Sequence, residues 1–196
     1  ALARLGDLFA DDAVLKVGHN LKYDIGVLAQ HGIAIAPYDD TLVMSFALDA
    51  GKHQHGLDEL AKLHLDHACL SFKDVCGTGK SQISFAEVQL DRATEYAAED
   101  ADVALRLWKL LKLRLPLEGG TRVYEMVDRP LAAIVEGMER AGIMVDRDYL
   151  AKLSGEFAAA MLRIEGEIHE LAGQPFAIGS PKQLGEILFD KLGLKG

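Results

Sequence analysis

The 196-residue sequence has only two cysteines, Cys69 and Cys76, too few for a disulfide-stabilised scaffold and typical of a protein of the reducing cytoplasm. It also lacks any apolar run near the roughly 20 residues that span a bilayer, so we expect no membrane segment. Basic residues are scarce, since 21 Lys and Arg stand against 30 Asp and Glu, a net charge of −9. This balance excludes a passive module that holds duplex DNA by phosphate neutralisation alone.

The sequence does not begin with Met, and residues 1–12 lack the basic and apolar regions of a secretory signal. Its opening resembles the interior of a protein, so we expect a piece of a longer chain. The remaining composition, 49% hydrophobic and 26% charged, is that of an ordinary globular protein. The length suits one domain of good size or two small ones.

The first 115 residues predict alternating strands and helices, which indicates an α/β domain. Asn20 is expected to cap the helix that follows the first strand, and Ser84 with Glu87 forms the sequence of a capping box. Strands are predicted at residues 13–18 and 33–35, and helices at residues 1–9, 21–31, 39–49, 57–65 and 84–115.

The sequence after Pro116 predicts helices only, over residues 117–141 and 146–172 and from Ser180 onward. We therefore predict a domain boundary near Pro116. Residues 1–115 would form the α/β domain, and residues 116–196 an all-α segment.

Asp100 is the most informative residue, because it lies in the middle of an apolar helix face. At about 100° per residue, Ala93, Leu107 and Leu111 lie within about 20° of it, and Tyr96 lies one turn earlier on the same face. A carboxylate removed from water pairs, neutralises or binds a metal. From the pattern alone, a buried Asp hydrogen-bonded to a loop explains Asp100 equally well.

Asp24 repeats this arrangement more weakly, one turn into the helix after the first strand and on the face of Leu21 and Leu28. A favourable interaction of an acidic residue with the helix dipole is a sufficient explanation for Asp24 alone.

Taken together, NLKYD (residues 20–24) and YAAEDAD (residues 96–102) resemble the second and third motifs of DEDDy-type 3′–5′ exonucleases. The closest resemblance is to the proofreading domain of family A DNA polymerases, and it covers essentially the whole chain. It implies a truncated ribonuclease-H-like exonuclease domain followed by the base of the polymerase thumb. The segments that carry it, in the family's order, are KVGHNLKYDIGVLA, YDDTLVMSFAL, HGLDELA, YAAEDADV, GIMVD and SPKQLGEILFDKLG.

In that family four carboxylates hold two divalent ions, Mg²⁺ or Mn²⁺, which act on the terminal phosphodiester. The resemblance implies that Asp100 is a direct metal ligand, that Asp24 holds the second ion through water, and that Tyr96 orients the attacking water. It also implies contacts to the single-stranded 3′ end of DNA by three residues: Asn20, Tyr23 and Phe72.

The family's first motif, Asp-x-Glu, is absent from these 196 residues, so half of the metal-binding carboxylates are missing. We therefore expect the isolated chain to be a poor nuclease. The resemblance implies that its parent is a monomer that binds primer-template DNA. Two other interpretations remain: a ribonuclease D-like RNA exonuclease and a degenerate exonuclease fold kept as a scaffold. The segments GIMVD and SPKQL argue against the first, and the intact Asp24, Tyr96 and Asp100 argue against the second.

A zinc site formed by His64, His67, Cys69 and Cys76 is not predicted. The spacing of these four residues fits no standard ligand pattern.

Overall fold

The computed structural model describes residues 5–195, most of them helical. Two short strands, β1 (Lys16–Gly18) and β2 (Tyr38–Asp40), pair in parallel with Lys16 opposite Tyr38 and Gly18 opposite Asp40. The helices are α1 (Gly6–Ala10), α2 (Leu21–Ala29), α3 (Thr41–Asp49), α4 (Leu57–Leu65), α5 (Phe72–Cys76), α6 (Leu90–Leu117), α7 (Thr121–Val123), α8 (Arg129–Ala141), α9 (Arg147–Ala172) and α10 (Pro181–Gly185).

The predicted α/β character of the first part is confirmed, but the second strand was predicted in the wrong place. Residues 33–35 are irregular, and the strand lies at residues 38–40. Two consecutive acidic residues, Asp39 and Asp40, hide this strand from a hydrophobicity pattern. The helix predicted from residue 39 begins at Thr41, because Asp39 and Asp40 belong to β2. The first predicted helix lies partly on residues 1–4, outside the described range.

Two predictions about helix starts need correction. Asn20 precedes α2 with a φ of 59° and makes no side-chain capping bond. Ser84 and Glu87 do form a capping box, but it caps a single 3₁₀ turn at Phe85–Glu87, and α6 begins only at Leu90. Pro116 lies in the last turn of α6, one residue before its end.

One face of α6 forms the centre of the hydrophobic core. The predicted apolar stripe is confirmed, because Leu107 and Leu111 are fully buried. They pack in one cluster with two more residues of α6 and with residues from α3, α4 and the turn after α7, namely Val103, Leu115, Met44, Leu60, Ala61 and Tyr124. Helix α6 therefore connects the two-stranded sheet to the helices that follow it.

The buried carboxylate of Asp40, 1% exposed, fixes the start of two helices. It accepts hydrogen bonds from the backbone N–H groups of Asn20 (3.0 Å) and Leu21 (2.8 Å) at the start of α2. It also accepts from the N–H groups of Leu42 (2.9 Å) and Val43 (3.4 Å) at the start of α3. Asp40 therefore does for α2 what Asn20 was expected to do.

The neighbouring carboxylate of Asp39, fully buried, binds the later helices to the sheet. It accepts hydrogen bonds from Trp108 Nε1 and Tyr124 Oη, both at 2.8 Å, and pairs with Lys112 at 3.1 Å and Arg129 at 3.2 Å. Burial by itself raises the pKa of Asp39, but these donors outweigh burial and hold the pKa below its ordinary value.

The described chain divides into two compact units, one ending at Gly142 and one beginning at Ile143. Residues 118–142 belong to the first unit because Tyr124 and Arg129 bind Asp39. The domain boundary predicted near Pro116, between an exonuclease domain and the start of a polymerase domain, stays a prediction.

The second unit contains α9 and α10, and its helix ends agree with the sequence. The Asp146 carboxylate caps α9, Gly173 ends it with a φ of 67°, and Ser180 caps α10. Across residues 5–195, no helix combines the length and the hydrophobicity that crossing a membrane requires.

Replacing Asp40 with Ala should lower the free energy of unfolding by about 3 kcal/mol, because two helix starts lose their acceptor at once. The measurement is urea unfolding followed by circular dichroism. Asp12→Ala is the matched control, since Asp12 is exposed and should change stability by less than about 0.5 kcal/mol. Equal effects of the two substitutions would contradict this role of Asp40.

Replacing Asp39 with Asn should cost about 2 kcal/mol at neutral pH, because Lys112, Arg129 and Tyr124 lose a charged acceptor. The folded pKa of Asp39 lies below the unfolded value of about 3.9. Its contribution is therefore complete above that pH and is lost as the pH falls through the folded pKa. Urea unfolding from pH 7 to pH 2.5 should show the wild-type advantage shrinking only in acid, and a constant difference would argue against it.

Candidate active site

A cleft of about 520 Å³ lies where the end of β1, the first turns of α2 and α4, and one face of α6 converge. The polar side chains that could bind a cation or substrate come from three segments that are far apart in the sequence. The side chains concerned are Asn20, Asp24, Asp58, Tyr96 and Asp100. The cleft thus gathers four of the six residues that the sequence singled out, and adds one carboxylate.

Asp24 stands in the first turn of α2, the helix whose start Asp40 holds. Its side chain remains exposed at the cleft. Partial burial raises the pKa of Asp24, and the negative charge of Asp40 adds to this effect. A cation bound next to Asp24 would therefore stabilise its charged form.

Asp100 and Tyr96 lie one turn apart on α6, next to the part of the helix that forms the core. Burial raises the pKa of the half-buried Asp100, and the charges of Asp58 and Glu99 act in the same direction, while the Tyr96 hydroxyl opposes them. Burial and the Asp100 carboxylate also raise the pKa of Tyr96. Tyr96 is therefore a neutral hydroxyl beside a carboxylate.

Asp58 was not selected from the sequence, although it lies in the quoted segment HGLDELA. It is exposed in the first turn of α4 and lines the same cleft. Its charge raises the pKa of both Tyr96 and Asp100. Its position in a first helical turn offered only the signal of a helix-dipole acid, which is why sequence reasoning passed over it.

His19 forms part of the cleft wall as a neutral side chain. Burial lowers its pKa to about 4, and its Nδ1 lies 2.9 Å from the Thr41 hydroxyl oxygen. The negative character of the cleft is therefore not offset by a histidine charge at neutral pH.

Three aromatic rings cluster beside the cleft. Phe72 and Phe85 stack with centroids 6.2 Å apart, and each meets the Tyr96 ring edge-on, at 6.5 and 5.9 Å. Phe72 thus joins the site through Tyr96, and Phe85 is a neighbour that the sequence did not indicate. Tyr23, 72% exposed, instead lines a separate groove with Gly26 and Glu136.

Glu99, next to Asp100 on α6, has partners of its own in the segment before α5. Its carboxylate accepts from the Leu70 N–H at 2.7 Å and lies 2.8 Å from His67 Nε2. These contacts attach the segment before α5 to α6, which positions Phe72. The hydrogen bond from Leu70 is the main reason that the pKa of Glu99 is lowered.

The donor atoms of the cleft fit a hard divalent cation. Among the described residues that line it, Asp24, Asp58 and Asp100 present carboxylate oxygens, and none is a cysteine. Carboxylate oxygens suit Mg²⁺ and Mn²⁺ better than zinc or copper.

Two family models match this sequence. The family model described as 3′–5′ exonuclease matches residues 1–116, and the model described as DNA polymerase family A matches residues 147–196. The first match covers more than half of the chain, which therefore belongs to the 3′–5′ exonuclease family. Membership of this family implies the use of divalent metal ions.

The curated relatives that the chain matches are named DNA polymerase I. That of Rhizobium leguminosarum is 53% identical over 196 residues, which is 100% of this chain and 19% of the relative. That of Pseudomonas aeruginosa is 41% identical over 98% of this chain and 22% of the relative. The chain thus spans about a fifth of the length of these proteins.

Solved structures share the fold. The POL domain of Pol1 from M. smegmatis, in complex with DNA primer-template and dNTP, superposes with a TM-score of 0.76 at 24% identity and covers 98% of this chain and 30% of its own. Brucella melitensis NrnC gives a TM-score of 0.58 at 26% identity over 71% of this chain and 66% of its own.

Replacing Asp100 with Asn should lower the pKa of Tyr96, because the carboxylate charge that opposes phenolate formation disappears. The measurement is a pH titration by NMR of the protein labelled with ¹³C at the tyrosine Cζ, with Tyr96→Phe identifying the signal. Asp102→Asn is the control on the same helix. An unchanged Tyr96 pKa in Asp100→Asn would show that the two side chains do not interact.

Proposed function

We propose that the chain is a segment of a bacterial DNA polymerase I and that its cleft is part of the 3′–5′ proofreading site. The substrate would be the frayed single-stranded 3′ end of a primer, and the reaction hydrolysis of its terminal phosphodiester. The observation that carries this proposal is the meeting of Asp24, Tyr96 and Asp100 around one cleft. The parent would be a monomeric cytoplasmic enzyme that extends primer-template DNA.

Each side chain has a role that suits its surroundings. Asp100 would bind one divalent ion directly, and Asp24 would hold a second through water. The bound ions would stabilise charge on the attacking and leaving oxygens. Tyr96, kept neutral by its raised pKa, would donate or accept a hydrogen bond that orients the attacking water.

The aromatic cluster is suited to the nucleotide end. Phe72, 45% exposed, offers a ring face supported by Phe85 and Tyr96. Stacking of a base on an aromatic ring contributes about 1–3 kcal/mol without sequence preference, which suits an enzyme that removes any mispaired base. Asn20 lies on the cleft wall and Tyr23 on the adjoining surface of α2, where they would contact neighbouring nucleotides.

Two of the four carboxylates that the family uses belong to an Asp-x-Glu motif that these 196 residues do not contain. In-line attack tolerates little misplacement, since about 1 Å can cost around a hundredfold in rate. Mg²⁺ also demands near-octahedral geometry. The isolated chain would therefore bind Mg²⁺ weakly and cleave DNA poorly.

A ribonuclease D-like RNA exonuclease is the second candidate, and the fold shared with NrnC, including a structure with bound Mg²⁺, supports it. The match of residues 147–196 to family A polymerases favours the first candidate. A degenerate scaffold is disfavoured because the chemically useful residues lie together.

The test compares the 196-residue chain with a protein extended upstream through the Asp-x-Glu motif. Each is incubated with Mg²⁺ or Mn²⁺ and single-stranded DNA or RNA labelled near its 5′ end, so that shortening from the 3′ end is visible. The extended protein should trim DNA, and Asp100→Ala should abolish trimming. Asp102→Ala is the matched control, since Asp102 is an exposed acid on the same helix, and it should retain activity.

Two outcomes would contradict the proposal. Metal-dependent trimming by the 196-residue chain, abolished by Asp100→Ala, would show that the upstream carboxylates are dispensable. A strong preference of the extended protein for RNA would favour the ribonuclease D-like alternative.

A further inference from the structure

A second cluster of ligand-type side chains lies at the end of α3 and on α4. Asp49, His53 and His64 each place one donor atom within 4.8 Å of the other two. Together with Arg114 they line a surface pocket that shares no residue with the carboxylate cleft. The cluster therefore needs an explanation separate from the proposed nuclease.

His53 has its tautomer set by the backbone. Its Nδ1 lies 2.7 Å from the carbonyl oxygen of Gln54, an acceptor only, so Nδ1 carries the proton. The lone pair is then on Nε2, which lies 3.7 Å from Asp49 Oδ2. A histidine whose other nitrogen donates to a carbonyl is the usual arrangement of a metal ligand.

His64 has a buried nitrogen that the fold leaves unsatisfied. Its Nε2 finds no hydrogen-bond partner within residues 5–195, and such a group is costly to bury. In the neutral ring this nitrogen can present a lone pair, and neutral imidazole is the form that binds metals.

Asp49 is buried and pairs with two cations, Lys52 at 2.8 Å and Arg114 at 3.0 Å. Arg114 is also bound by Glu118, so part of its charge is already neutralised. Lys52 is exposed and pairs with Asp49 Oδ1, whereas Arg114 pairs with Oδ2, so an ion bound through Oδ1 would displace Lys52.

We propose that Asp49, His53 and His64 bind one divalent transition-metal ion of the Zn²⁺ or Co²⁺ type. Two imidazoles and one carboxylate suit such ions and not Mg²⁺. Bonds of about 2.0–2.2 Å require the donors to draw closer together, and the position of His53 in the α3–α4 loop permits this. The ion would fasten that loop to α4, with water as a fourth ligand.

The experiment uses the 196-residue chain without a histidine tag, titrated with Co²⁺ and then with Zn²⁺ at pH 7.5. Co²⁺ should give the visible absorption of a tetrahedral site at one equivalent, and Zn²⁺ should remove it. Zn²⁺ should also raise Tm, and a chelator should reverse the rise. Because this rise in Tm is measured on the unsubstituted chain, it tests the site even if a substitution impairs folding.

Variants separate this site from other histidines. His53→Gln and His64→Gln should each weaken Co²⁺ binding by at least about 100-fold. Loss of a residue that only supports a ligand costs up to about 100-fold, so a larger loss indicates a direct ligand. His31→Gln, at an exposed histidine elsewhere, should bind like the wild type. Lys52→Met should bind more tightly, because the competing ammonium is gone.

The proposal is overturned if Zn²⁺ at micromolar concentration leaves Tm unchanged and Co²⁺ gives no tetrahedral spectrum. It is also overturned if Cys69→Ser, and not His53→Gln, abolishes binding. The ion would then occupy the other group of donors, His67, Cys69 and Glu99. None of these outcomes depends on nuclease activity, so failure here leaves the proposed function standing.

Discussion

Two adjacent buried carboxylates, Asp39 and Asp40, determine how the first unit is assembled. In a strand, consecutive side chains point to opposite faces, so Asp39 and Asp40 bind different sets of partners. Asp40 collects four backbone N–H groups and so sets where α2 and α3 begin. Asp39 collects an indole, a phenol and two cations from α6 and the helices after it. A buried carboxylate is tolerated only when it is paired in this way.

The carboxylates of the cleft are the opposite case. Within residues 5–195, Asp24 and Asp100 have no such set of donors, and each has a raised pKa because of burial and neighbouring acids. They depend on the first pair for their positions. Asp24 is one turn from the helix start that Asp40 holds, and Asp100 is two turns from Trp108, which binds Asp39. The fold thus keeps one pair of acids satisfied and leaves the other available to a cation.

Much of this arrangement was predictable from periodicity. The α6 stripe, the limits of α4, the span of α9 and the start of α10 at Ser180 follow from local patterns and are confirmed. The strand at residues 38–40 and the role of Asp40 at the start of α2 were not predictable, because their partners lie about 20 residues away. Asp58 was missed because its position in the first turn of a helix has a sufficient local explanation, and Phe85 because nothing in its local pattern indicates a contact with Tyr96. The histidine cluster was hidden because His64 is close in sequence to His67 and Cys69 but in space joins His53 and Asp49.

The most direct test of this division between structural and cation-binding acids is NMR of the aspartate carboxyl carbons during titration with Mn²⁺. Paramagnetic broadening reports proximity to the bound ion. In the protein extended through the Asp-x-Glu motif, the signals of Asp24 and Asp100 should broaden together at the lowest Mn²⁺ concentrations. Those of Asp39 and Asp40 should broaden later and less. Broadening of Asp39 or Asp40 first, or of Asp24 without Asp100, would contradict the account.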